Sequence, residues 1–175
     1  MCASNDLDDR HVPTEPNHVA VLELALLAPL EHQITESAAF LSAFTPQQAL
    51  WREAPGEWNI LEIVGHLVDV ERVFGYRALR IARADPVMWT GVEFADYAAA
   101  ANFMARSLGD VVAELTTVRA SSIAFLRGLD AAAWQRCAPR DWTIRSVRAI
   151  AYAIAGHELH HLADIRRQHG GFAQK

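Results

Sequence analysis

Apolar residues recur at helical spacing through four long stretches of the chain, and no run of alternating β-branched residues is long enough to suggest a strand. The first stretch opens at Asn17, a suitable N-cap, and continues as HVAVLELALLAPLEHQITESAAFLSAF; Pro29 inside it predicts a kink or two helices in line. Residues 45–58, punctuated by Pro46, Pro55 and Gly56, read as a connector. A second helix starts at Asn59, where Glu62 completes a capping box and Trp58 can staple onto Ile63, and it runs to about Ala84 before Asp85-Pro86 stops it. Residues 85–106 form a long crossover containing Trp89, Tyr97 and a short Ala-rich helix. A third long helix begins at Ser107, capped through Ser107 and Asp110, and ends near Gly128. After a turn of helix around Ala131–Trp134, a fourth begins at Thr143, with Trp142 stapled onto Val147. The expected architecture is all-α, a four-helix bundle with a long crossover between its second and third long helices. Residues 1–16 are expected to be a mobile polar tail, residues 17–170 the bundle and residues 171–175 a short C-terminal tail.

Two of these helices carry histidines among their apolar positions. EWNILEIVGHLVDVER (57–72) and DWTIRSVRAIAYAIAGHELHHLADIRR (141–167) both begin with an acidic residue, Trp, a cap and Ile, and both contain His-Leu-x-Asp. His66 lies 7 residues past its cap, whereas His157 and His161 lie 14 and 18 past theirs. At about 1.5 Å per residue these depths are ~10 Å and ~21–27 Å, so the three rings reach one level only if the helices run antiparallel; parallel helices would separate them by ~10–17 Å. His157 and His161, at i and i+4, share a face with Ile150, Ile154 and Asp164, and His66 shares one with Ile63, Val70 and Val73. Three imidazoles buried together are costly without a shared partner, which makes His66, His157 and His161 candidate ligands of one divalent ion. His160 lies at the edge of the sector, as an outer neighbour or an exposed residue. Asp69 and Asp164, each three residues after a candidate ligand, are placed to orient imidazoles or to accept a proton from a bound nucleophile; the same positions also suit ordinary surface carboxylates.

Composition narrows the setting. The 175 residues are 51% hydrophobic and 21% charged with a net charge of −5, an ordinary globular balance without the basic cluster that nucleic acid requires. The start lacks the apolar core of a signal peptide and no apolar run reaches about 18 residues, so a cytoplasmic protein without membrane contact is expected. Two cysteines, Cys2 and Cys137, cannot build a disulfide framework or a thiolate zinc cage, and are read as free thiols.

HELHH also matches the H-E-x-x-H pattern of zinc metalloproteases. The extended form of that pattern needs Gly and His where this chain has Asp164 and Arg167, and no strand is available to align a peptide. A different resemblance covers more of the chain. W-x-I-x-E-x-x-x-H-L-x-D at the start of the second helix, with AGHELHHLADI on the last, resembles the DinB/YfiT-like family of metalloenzymes over roughly residues 20–170. The resemblance implies a four-helix bundle of up-down-down-up topology, often a dimer, with Zn²⁺ or Ni²⁺ held by one His of the second helix and two of an H-x-x-x-H on the fourth. Here those are His66, His157 and His161. Many relatives carry a further His where this chain has Ala153.

Three protein nitrogens leave a tetrahedral ion one open position, the pattern of catalytic rather than structural sites. An all-imidazole site leaves the ion's charge uncompensated and favours an anionic fourth ligand. By resemblance to thiol-using relatives, the leading expectation is a metal-dependent thiol S-transferase acting on a small electrophile, with a low-molecular-weight thiol as co-substrate and Asp69 or Asp164 managing protons. The alternatives are a hydrolase using water at the same ion, and a non-catalytic sensor or interaction domain with a structural metal. The crossover 85–106, through Trp89 and Tyr97, is the segment expected to roof a pocket.

Overall fold

The computed structural model describes residues 16–86, 91–138 and 146–169. Seven α-helices occur in them: α1 (Pro16–Leu41), α2 (Pro46–Leu50), α3 (Ile60–Ala82), α4 (Phe94–Ala100), α5 (Leu108–Arg127), α6 (Ala131–Gln135) and α7 (Val147–His169), with a 3₁₀ turn at Phe103–Ala105. No strand forms among the described residues; Cys137 and Ser146 make an isolated antiparallel bridge. The four long helices α1, α3, α5 and α7 form a four-helix bundle.

Local chemistry accounts for the helix starts. Asn59 Oδ1 accepts from the Glu62 N–H at 2.9 Å while Glu62 Oε2 accepts from the Asn59 N–H at 3.0 Å, the reciprocal box that opens α3. Ser107 Oγ accepts from the Asp110 N–H at 3.1 Å and opens α5. The connector 45–58 is more ordered than its punctuation suggested. Thr45 and Gln48 form a second capping box with Pro46 in the first turn, and this launches α2. α1 begins at Pro16, so Asn17 lies inside it rather than capping it, and the helix continues through Pro29 as one element. α7 begins later than expected: the Ala149 N–H donates to Ser146 Oγ at 3.1 Å and the helix runs from Val147. Trp142, Thr143 and the proposed staple there lie outside the described residues. Of the two cysteines, Cys137 follows α6, and Cys2 lies outside the described residues. Among the described residues no helix is long and apolar enough to cross a membrane.

The core divides along the bundle axis. At one end Phe74, Ala78 and Ile81 of α3 pack with Ile123 and Leu126 of α5 and with Val147, Ile150 and Ile154 of α7. At the other, Ile60, Ile63 and Val64 pack with Val111 and Leu115 of α5 and with Leu162 and Ile165 of α7. The beginning of α3 therefore meets the end of α7, and the two helices run antiparallel. Each fully buried Leu or Ile adds about 1.5–3 kcal/mol relative to exposure, so both junctions are held firmly and fix the level of whatever lies between them.

Candidate metal centre

His66 projects from the second turn of α3 and is 8% exposed. Its ring is enclosed by Trp58, at 5.0 Å between centroids, and Phe94 of α4, at 5.7 Å edge-on. The neighbouring position favours glycine: a Cβ on Gly65 would stand 2.4 Å from the Phe103 ring, which would have to move. From the opposite helix come His157 and His161, one turn apart and partly buried. His157 Nε2 lies 3.2 Å from His66 Nε2 and 3.1 Å from His161 Nε2, and the ligand nitrogens of all three lie within 4.8 Å of one another. The depths of these rings along the sequence allow one level only for antiparallel helices, and α3 and α7 pack antiparallel.

Burial, followed by the neighbouring His161, lowers the pKa of His66 to about 4. Burial and the other three histidines around it lower His157 to about 4 as well, and burial together with His160 also lowers His161. All three imidazoles are therefore neutral at pH 7, the form that ligates a metal. The spacing suits one ion. Two nitrogens bound to Zn²⁺ at ~2.0–2.1 Å in tetrahedral geometry stand roughly 3.3–3.4 Å apart, close to the separations found here. Imidazole donors suit Zn²⁺ and Ni²⁺ alike.

The two candidate acids part company. Asp164 joins His161, Trp58, Ile63, Glu57 and Gln168 around an open groove of about 240 Å³. Arg167 and His160 lie 3.7 and 3.6 Å from the Asp164 carboxylate. His160 itself is exposed. Asp69 turns the other way, toward Arg72 at 4.0 Å and the α5 carboxylate Glu114, which Arg72 also contacts; burial raises its pKa against the pull of Arg72. In the crossover, Trp89 lies outside the described residues and Tyr97 is exposed, its ring against Phe94; Phe94 and Phe103 are the residues that reach the His66 turn.

Three charged residues beneath the triad escaped the sequence reading. Arg119 of α5 donates through Nε and Nη2 to the two oxygens of Glu71, at 2.9 and 3.0 Å, and through Nη2 to Glu158 Oε2 at 2.6 Å. All three side chains are buried. Their signal was present: each sits on an apolar stripe, Glu71 three before Phe74, Arg119 between Leu115 and Ile123, and Glu158 between Ile154 and Leu162. Glu158 is also the Glu of the H-E-x-x-H match. Its engagement with Arg119 in the core explains why that match misleads.

A family model described as the DinB superfamily matches residues 30–165, which span the whole of this arrangement. The chain belongs to the DinB superfamily. Among solved structures of similar fold is that of YfiT from Bacillus subtilis, described as a probable metal-dependent hydrolase with an unusual four-helix bundle topology. It superposes with a TM-score of 0.63 at 15% identity, covering 95% of this chain and 94% of that one. No curated protein matches this DinB-family sequence at a significant level.

Proposed function

We propose that this DinB-family protein is a metal-dependent hydrolase of a small substrate, with His66, His157 and His161 holding one divalent ion, Zn²⁺ or Ni²⁺. The observation that carries the reading is the set of three neutral imidazoles, from two antiparallel helices, whose nitrogens fall within 4.8 Å beside an open groove. An ion of this class, when bound, polarises a carbonyl and acidifies a water or thiol that joins it. The chain does the rest. Trp58 and Ile63 offer the groove an apolar wall, and Asp164 supplies a carboxylate at its edge that can take a proton from the nucleophile. The description of YfiT as a metal-dependent hydrolase supports the same reaction class.

A metal-dependent thiol S-transferase is the second reading, favoured by the all-imidazole donor set. Its electrostatic premise is weaker than the sequence suggested, because Glu71 and Glu158 around the single Arg119 leave one negative charge buried beneath the triad. The demand for an anionic fourth ligand is thereby partly met from within the protein.

Gently purified protein is expected to carry about one divalent ion per chain by elemental analysis, and the His66→Ala protein to lose it. Asp164→Asn should keep the ion while hydrolysis of a simple ester or amide falls on the order of 10²-fold. Full occupancy in His66→Ala would remove α3 from the site and overturn the assignment. A sulfur-to-metal charge-transfer band when the Co²⁺-loaded protein meets glutathione, bacillithiol or mycothiol, without any hydrolysis, would install the transferase reading instead.

A further inference from the structure

The Glu71–Arg119–Glu158 cluster is tied to every long helix. Besides its two carboxylates, Arg119 donates through Nη1 to the Leu30 carbonyl of α1 at 3.4 Å. Gln33, also on α1, donates through Nε2 to Glu158 Oε2 at 2.9 Å and to the Ala155 carbonyl at 3.0 Å. Glu158 Oε2 thus accepts from both Arg119 and Gln33, while Glu158 Oε1, equally buried, has no hydrogen-bond partner in the protein. Buried carboxylate oxygens are rarely left so, because the lost hydration is not returned. Directly beside this carboxylate lies a small cavity lined by Glu71, Arg119, His157 and Glu158 together with the apolar Leu67 and Phe74. The centre of a water-sized sphere can move through about 10 Å³ of it, room for a single water.

His157 supplies the other half of the argument. Its Nε2 faces both His66 and His161. Nε2 offers either one N–H or one lone pair between the two rings; with the proton on Nδ1 it presents the lone pair, the form that ligates an ion. The nitrogen left over is Nδ1, on a ring that lines the cavity. Metal-ligating histidines generally donate their second N–H to a carboxylate, a carbonyl or a water.

From these contacts we infer that the cavity is the site of one structural water, which accepts the Nδ1–H of His157 and donates to Glu158 Oε1, making Glu158 the positioning residue of the His157 ligand. The bridge fixes the tautomer that presents the Nε2 lone pair to the triad, and it couples the buried negative charge of the cluster to the ligand shell. The inference rests on the metal-site reading above for the tautomer and its consequence, and on the unpartnered Glu158 Oε1 beside the cavity for the water.

The test uses the full chain. In metal-free wild type, long-range ¹H–¹⁵N spectra should show His157 protonated on Nδ1, and a high-resolution crystal structure should show one ordered water between His157 and Glu158. Glu158→Gln, which keeps the shape and alters the charge, should bind Zn²⁺ roughly 10–100-fold more weakly in a chelator competition. A proton on Nε2 of His157, a dry cavity, or a folded Glu158→Gln protein with Zn²⁺ affinity within twofold of wild type would each overturn the inference. If Glu158→Gln does not fold, the wild-type tautomer and water decide. Wild type that binds no Zn²⁺ would refute the metal reading and leave the bridge to be judged on the tautomer.

Discussion

Glu158 and Asp164 stand six residues apart on the same helix and the triad separates their surroundings. Glu158 is 1% exposed, locked to Arg119 and Gln33 beside a cavity with room for one water. Asp164 borders an open groove of about 240 Å³ and has only loosely held partners in His160 and Arg167. One side of the histidines is closed and charged; the other is open. The difference teaches that two carboxylates near the same rings are told apart by what already occupies their oxygens: one engaged by a buried guanidinium is not free to exchange a proton, and one at an open groove is.

The contrast can be broken most forcefully at Arg119. Arg119→Met leaves Glu71 and Glu158 buried without their shared cation, and should cost about 3–5 kcal/mol in denaturant titration. Asp164→Asn, on the open side, should stay within about 0.5 kcal/mol of wild type. Equal losses in the two variants would abolish the distinction between the sides.

Gly65→Ala probes the wall that closes His66 in. The added methyl would lie 2.4 Å from the Phe103 ring, and overpacking of this kind typically costs about 1–3 kcal/mol. Because the turn that must yield carries His66, ion content should fall along with the unfolding midpoint. A midpoint unchanged from wild type would mean that the crossover is too loosely seated to enclose the site.

A pH dependence probes the rings between the two sides. His66 and His157 have folded pKa values of about 4, below the 6.5 of the unfolded chain, so the unfolded state takes up protons first as pH falls. Metal-free protein should therefore hold its full stability above about pH 6.5 and lose it progressively toward pH 4. Thermal midpoints at pH 7 and pH 5 check the sign. An unchanged midpoint would place those rings in solvent.

Much of this was legible in the residues alone. The capping box at Asn59, the cap at Ser107 and the i, i+4 pair of histidines are local signals, and local signals survive folding because neighbouring residues alone satisfy them. Thr45-Pro-Gln-Gln was equally local, a capping box overlooked because proline was taken as punctuation rather than as the first residue of a helix. The Arg119 cluster was hidden for another reason. Its members lie on three helices, with 39 and 48 residues of chain between partners, and a charge on an apolar stripe shows only that a partner exists, not which one it is. The split between Asp69 and Asp164 was also beyond the pattern, since both occur in His-Leu-x-Asp and only the packing of α3 against α5 sends the first toward Arg72 and Glu114.

The contact between Gly65 and Phe103 has a consequence for the variation of this sequence. An aromatic ring can lie on α3 there only while the facing position lacks a side chain, so neither residue can change freely by itself. Positions 65 and 103 should behave as one inherited unit: where a descendant or relative gains a methyl at the first, the second should shrink, and the turn bearing His66 should lose part of its cover at the same time.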